Sequence, residues 1–128
     1  MERILGRFAP QCYALMRIVV GLLFACHGAQ KLLGVLGGQQ VPFASQFGLA
    51  GAIELVGGVM IAIGFMTGFA AFIASGEMAY AYFTVHWPRG PWPIQNGGEL
   101  AALYCVIFLY VASRGSGIWG IDKGGSKR

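Results

Sequence analysis

Charged residues are few in this 128-residue chain: Asp, Glu, Lys and Arg together make up only 11% of it. Soluble proteins usually carry about 25%. Acids are especially few, with five against nine basic residues, whereas hydrophobic residues reach 56% and the mean hydropathy is +0.64. This composition argues against an ordinary soluble domain and favours an integral membrane protein.

Cysteine is also scarce, and Cys12, Cys26 and Cys105 show no C-x-x-C or Cys/His ligand spacing. We therefore predict no disulfide and no metal site, and we interpret the thiols as small apolar packing groups. No G-x-G-x-x-G motif follows a predicted strand, so no intrinsic flavin or nicotinamide site is expected. The net charge of +4 does not indicate nucleic acid, because the bases flank apolar runs.

Long apolar runs, in contrast, fill most of the chain. A membrane-spanning helix needs about 20 residues, and four runs approach that length. The sequence therefore predicts an all-α integral membrane four-helix bundle that forms a single domain over residues 1–128, with spans at approximately 14–33, 47–65, 67–85 and 97–114.

The segments outside these spans have the composition of loops and turns. Residues 1–11 predict a short surface segment, which Pro10 separates from the first span. The glycine-containing segment 34–45 and the proline-rich segment 86–93 predict non-helical loops. Residues 64–68 predict a tight turn, which makes the second and third spans an antiparallel pair.

The basic residues are distributed unevenly between the two predicted sides of the membrane. Lys31 and Arg89 lie on one side, and seven bases lie at or near the other: Arg3, Arg7, Arg17, Arg114, Lys123, Lys127 and Arg128. Cytoplasmic loops carry the excess of Lys and Arg, so both termini are predicted to be cytoplasmic in a multi-pass protein of the inner (cytoplasmic) membrane.

Ionisable residues interrupt the apolar runs at similar depths. At a rise of ~1.5 Å per residue, His27 lies ~9 Å, Glu54 ~10 Å and Glu77 ~12 Å from the outward ends of their spans. Glu99 opens the fourth span on that side, and Lys31 shares a helix face with His27. Because buried charge in a membrane is costly, we predict that these residues form a polar pocket in the outer half of the bundle.

Each of these residues also has a structural interpretation. Asn96 and Glu99 fit a capping box at the start of the fourth span. Glu54 and Glu77 can simply hydrogen-bond to neighbouring helices. His27 is more typical of a core histidine than of an axial ligand, and Arg17 is expected to pair with an acid or a lipid phosphate at the cytoplasmic edge. No catalytic residue is assigned.

Several separated motifs resemble those of DoxX-family membrane proteins. The first span contains Arg17-x-x-x-Gly21-x-x-Phe24-x-x-His27-Gly28-x-x-Lys31-Leu32-x-Gly34. Further motifs are Glu54-x-x-Gly57-Gly58, Gly64-x-x-Thr67 and Asn96-Gly97-Gly98-Glu99 with Tyr104. The tail Gly115-x-Gly117-x-Trp119-x-x-Asp122 also resembles the family, although Gly120 stands where a serine is expected. The resemblance implies four membrane helices and an association with membrane redox chemistry, since one relative forms part of a thiosulfate–quinone oxidoreductase.

Three functions remain open at this point. The first is a small accessory subunit of a quinone-linked or electron-transfer complex, with electrons supplied by a partner. The second is a structural or assembly subunit that docks a larger membrane complex and contacts lipid or a porphyrin- or chlorin-type pigment, with His27 as a conceivable ligand. The third is a small-molecule or proton-coupled carrier that uses Glu54 and Glu77, which four spans without an internal repeat make less favourable.

Overall fold

Four long helices form the body of the protein. The computed structural model describes residues 1–122. The long helices are α2 (Ala9–Leu33), α3 (Gln46–Ile63), α4 (Thr67–Ala81) and α6 (Glu99–Arg114), and two short ones are α1 (Glu2–Leu5) and α5 (Pro93–Asn96). No strand occurs in this part of the chain, which confirms the predicted all-α class.

The start of α2 differs from the prediction. Pro10 does not separate a surface segment from the first span, because it lies in the first turn of α2, which begins at Ala9. The first N–H groups of a helix have no intrahelical partner, so proline is tolerated there. The preceding chain is itself helical, with α1 followed by a 3₁₀ turn at Gly6–Phe8.

The proline-rich segment before α6 is also more helical than predicted. A π-helical turn at Tyr82–His86 continues α4, and a 3₁₀ turn at Trp87–Arg89 and α5 follow. Prolines occupy the first turns of the last two elements, where no N–H group is needed. Proline therefore limits the length of these helices without preventing them. The segment 34–45 is irregular, as predicted.

Helices α2 and α3 are antiparallel and approach closely through glycine. A Cβ atom on Gly58 would lie 2.5 Å from the Ala25 nitrogen, and one on Gly21 would lie 2.7 Å from the Ala62 nitrogen. Only glycine permits such an approach of two backbones. The tight turn predicted at 64–68 is present, since Gly64 ends α3 with a φ of 72° and α4 begins at Thr67.

The core lies where α2 meets α6. Phe24 and Phe108 are fully buried, and their ring centroids are 4.7 Å apart. Tyr104 stacks on Phe108 with a centroid distance of 5.5 Å. On the other side of α6, Ser75 of α4 donates a hydrogen bond to the Cys105 carbonyl oxygen at 2.7 Å. These contacts, together with the close approach of α2 and α3, hold all four long helices around a common interior.

Among residues 1–122, two helical stretches are long and apolar enough to cross a membrane, Glu2–Leu33 and Gln46–Ile63. Helices α4 and α6 have 15 and 16 residues, so each is shorter than a typical span. Large apolar side chains remain exposed on the outer surface of the long helices, among them Leu22, Leu23, Phe69, Phe72 and Val106. A surface of this kind suits contact with lipid.

Candidate functional site

A cavity of about 520 Å³ lies between the long helices, towards the end of the bundle that carries α5 and the segment 34–45. Its walls are mainly apolar, with Phe24 of α2, Ile53 of α3, Ile73 of α4 and Leu100 of α6 among them. Polar groups line it from every long helix, among them His27, Lys31, Glu54, Glu77 and Tyr104. Further polar residues of the lining are Gln46, Tyr80, Thr84 and His86. The structure therefore brings together four of the five residues predicted to form a pocket.

Glu54 is the most buried acid of the cavity, with 1% of its surface exposed. Its position on the small-residue face of α3 points it inward. Lys31 donates a hydrogen bond from Nζ to Glu54 Oε2 at 2.7 Å, and its own side chain is 32% exposed. Glu54 Oε1 is buried and accepts no hydrogen bond from the described part of the chain.

Glu77 faces Glu54 from α4. Its Oε1 atom is buried and also lacks a donor among residues 1–122. The two carboxyl groups are close enough to form a hydrogen bond when one of them carries a proton. Within the described residues Lys31 donates to Glu54 and not to Glu77. The two carboxyl groups therefore still need either a proton between them or a hydrogen-bond donor from another molecule.

His27 and Tyr104 form the aromatic part of the site. Their rings pack edge to face with centroids 6.0 Å apart. No cluster of three or more metal-ligating side chains occurs within the described residues. Sequence reasoning did not place Tyr104 in the pocket, although the helical spacing of Leu100, Ala101 and Tyr104 gives one face of α6 that lines it.

Glu99 and Asn96 do not play the predicted parts. Glu99 is exposed and lies outside the cavity lining. Gly98 rather than Asn96 is the N-cap of α6, so the capping box is not formed. Glu99 is the first residue of the helix and cannot take the N3 role. Asn96 is buried at the end of α5, where it accepts a hydrogen bond from Gly98 N at 2.8 Å and donates one to the Gly90 carbonyl at 2.9 Å.

The opposite end of the bundle contains a second buried charge. Arg17 is fully buried, and its guanidinium donates to the carbonyl oxygens of Ile61 at 2.7 Å and Ala62 at 2.8 Å. It also donates to Ile118 at 3.2 Å and Trp119 at 3.0 Å. Within residues 1–122 Arg17 therefore has main-chain partners in place of a salt bridge, and the predicted acid is represented only by a longer-range attraction to Asp122. Pairing with a lipid phosphate stays a prediction. The last carbonyls of α3 have no intrahelical donor, and their partial negative charge attracts a cation.

Asp122 completes this end of the bundle. Its carboxylate accepts hydrogen bonds from the Met66 and Thr67 N–H groups, each at 2.8 Å, and so caps α4. Partial burial acts to raise the pKa of Asp122, but these hydrogen bonds and the nearby Arg17 charge outweigh it and hold that pKa below the ordinary value. Sequence reasoning had included Asp122 only as part of a motif.

The helical fold, the apolar outer surface and the two span-length helices define a helical membrane protein. Within that class, the chain belongs to the DoxX family, whose profile matches residues 13–87. The resemblance inferred from the sequence motifs is thereby confirmed.

Two relatives extend the match beyond the family profile. An uncharacterised protein of Haemophilus influenzae is 42% identical over 126 residues, which cover 93% of this chain and 94% of that protein. A Bacillus subtilis protein named "Putative oxidoreductase CatD" is 27% identical over 115 residues, covering 84% and 82% of the two chains. No solved structure matches.

Proposed function

We propose that this protein is a quinone-binding accessory subunit of a membrane redox assembly. The observation that carries the proposal is the cavity itself. Its volume of about 520 Å³ falls within the range of roughly 300–1,000 Å³ that is typical of small-molecule sites. Apolar walls from four helices suit a hydrophobic ring and the start of its tail, while the acids, Lys31 and His27 offer polar contacts to a ring oxygen.

A purely structural role for the acids explains the site less well. A polar group that only holds helices together is expected to have its hydrogen bonds satisfied. Glu54 Oε1 and Glu77 Oε1 are buried without a donor from residues 1–122. Buried polar atoms of Gln11, Arg17 and Thr67 also lack a partner there, but those three residues do not line the cavity. The two carboxyl groups adjoin a cavity, so a bound molecule can donate the hydrogen bonds that the helices do not supply.

Electrons must come from a partner in this proposal. The sequence has no flavin, nicotinamide or iron–sulfur motif, and cofactors rather than side chains carry electron-transfer chemistry. The name of the Bacillus subtilis relative supports an association with oxidoreductases. The protein purified alone is expected to show no quinone reductase activity, and robust reduction by the isolated chain would make it an enzyme in its own right.

The proposed topology has four spans in the inner membrane and cytoplasmic termini. Arg7, just before the start of α2, and Arg114, at the end of α6, lie at the same end of the bundle, opposite Lys31. Lys123, Lys127 and Arg128, which also supported this orientation, lie outside the described residues. In a variant without native cysteines, cysteine at Gly37 should react with an impermeant thiol reagent in intact cells. Labelling at Ser126 instead would reverse the orientation.

Cavity filling tests the quinone site directly. Ala50 lines the cavity from α3, so Ala50→Phe should obstruct it, whereas Val56 on the same helix is 58% exposed and lies outside the lining. A short-chain benzoquinone is titrated into the purified full chain in mild detergent, with intrinsic fluorescence as the readout. Binding should fall at least tenfold in Ala50→Phe and stay unchanged in Val56→Phe. Equal loss in both variants, or no saturable binding to the natural chain, would contradict the proposal.

A further inference from the structure

We infer that the cavity selects the reduced, hydroxyl-bearing form of its ligand, a quinol, because Glu54 Oε1 and Glu77 Oε1 present acceptors without donors. The inference rests on the proposed function and specifies which redox form the site prefers. It concerns binding alone, in which the two carboxyl groups accept hydrogen bonds and take part in no covalent or redox step.

The hydrogen-bonding groups of the site favour one of the two forms. His27 and Tyr104 can donate to an oxygen of either form, so the preference depends on Lys31 and the two acids. Lys31, the cation of the cavity lining, already donates to Glu54 Oε2 at 2.7 Å. The two buried Oε1 atoms accept nothing from residues 1–122. An ionised carboxyl group only accepts hydrogen bonds. A quinone also offers only acceptors through its carbonyl oxygens, whereas each hydroxyl of a quinol donates.

Charge leads to the same conclusion. When both acids are ionised, Lys31 leaves one negative charge uncompensated in a largely apolar cavity. A carbonyl oxygen placed there is repelled, while a hydroxyl hydrogen is attracted. A quinol can therefore donate hydrogen bonds to the ionised carboxyl groups directly. A quinone can bind beside them only if the site also takes up a proton. Hydrogen bonds to charged groups are stronger than those between neutral groups, so the difference between the two forms is expected to be measurable.

One competing arrangement involves no ligand. Because the two carboxyl groups adjoin, a single proton shared between them would give each acid a hydrogen-bond partner. The site would then present no free acceptor, and a quinone and its quinol would bind with similar affinity. Comparing the affinities of the two redox forms therefore separates this arrangement from the one that we infer.

Three matched probes test the preference on the purified full chain in mild detergent under anaerobic conditions. They are a short-chain benzoquinone, its hydroquinone and the dimethyl ether of that hydroquinone, which keeps the ring and both oxygens but cannot donate. We expect the hydroquinone to bind at least tenfold more tightly than either of the others, a difference that corresponds to about 1.4 kcal/mol.

Substitutions connect the preference to the two acids. Glu54→Gln replaces an acceptor by a group that also donates, so the ratio of hydroquinone to quinone affinity should fall to within about twofold. Glu77→Gln should lower it similarly, and it leaves the partner of Lys31 in place if Glu54→Gln fails to fold. Glu99→Gln is the matched control, because Glu99 is exposed and outside the cavity, and it should keep the full ratio.

The possible failures are distinguishable. Equal binding of quinone and hydroquinone, or equal binding of the dimethyl ether and the hydroquinone, would overturn the inference while leaving a quinone site. An unchanged ratio in both Glu54→Gln and Glu77→Gln would also overturn it. If none of the three probes binds saturably to the natural chain, the proposed function itself fails.

Discussion

The two ends of the bundle differ in how their buried charged groups are hydrogen-bonded. At one end, Arg17 donates four hydrogen bonds to main-chain carbonyl oxygens of α3 and of the segment after α6. At the other end, Glu54 has one partner for two oxygens, and Glu77 Oε1 has none within residues 1–122. Arg17 Nε also lacks a partner within residues 1–122, but the two terminal nitrogens of its guanidinium each donate twice to main-chain carbonyl groups. The incomplete carboxyl groups differ in that they line a cavity, where a ligand can reach them.

The largest change in stability is expected at the end of the bundle that contains Arg17. Arg17→Met should lower the free energy of unfolding by about 3–5 kcal/mol, because it leaves buried carbonyl groups without their donors. Thermal unfolding in mild detergent, followed by circular dichroism, measures the loss. Arg3 is exposed, so Arg3→Met should change stability by no more than about 0.5 kcal/mol.

The comparison requires that Glu54→Gln be milder than Arg17→Met in the same assay, since the amide oxygen of the substituted side chain could still accept a hydrogen bond from Lys31. If Glu54→Gln destabilises the protein as much as Arg17→Met, both charges are structural and the contrast between the two ends disappears.

The next largest loss of stability is expected between the two ends, where α2 and α3 are in contact. Gly58→Ala would place a Cβ atom 2.5 Å from the Ala25 nitrogen, and should cost about 1–3 kcal/mol through overpacking. Gly57 is its matched control, because a Cβ atom there would meet nothing within 4 Å. Gly57→Ala should be neutral or stabilise by up to about 1 kcal/mol. Equal thermal midpoints for the two variants would show that the helices do not meet in this way.

The smallest effect concerns Asp122. Asp122→Asn should cost about 1 kcal/mol at neutral pH, since it removes the negative charge that caps α4. The pKa of Asp122 is lowered in the folded protein, so its contribution is present above the ordinary aspartate pKa and disappears as the pH falls through the folded value. Thermal midpoints of the natural chain and of Asp122→Asn should therefore converge on acidification. A difference that persists at low pH would show that the charge is not responsible.

The contrast between the ends also shows what the sequence could predict. The depth of Glu54 and Glu77 follows from counting residues along apolar helices, and the small residues beside them predict which way they face. Counting residues is therefore enough to predict that the two acids lie at a similar depth in the bundle. In the structure both of them line the same cavity. Glu99 was harder to place because the exact start of a helix depends on the preceding turns, and here α5 and Gly97 shift that start.

Arg17 was harder to predict for a different reason. Its partners are main-chain carbonyl oxygens, which every residue has, so no side-chain pattern reveals them. Two of these carbonyls belong to a segment after α6 that lies 101 and 102 positions away in sequence, and contacts of that kind depend on how the whole chain folds. The tail motif that ends at Asp122 marked this segment as part of a pattern but did not reveal what it contacts.

Photolabelling tests the central claim, that the cavity lined by Glu54 and Glu77 is a quinone site. A short-chain azidobenzoquinone is irradiated with the full chain in native membranes, and the labelled positions are mapped by mass spectrometry. The account predicts labels among the lining residues of α3 and α4, such as Ile53 and Ile73, lost with excess unlabelled quinone and in Ala50→Phe. Labels spread over outward-facing residues such as Phe69 and Val106, or unchanged labelling in Ala50→Phe, would contradict it.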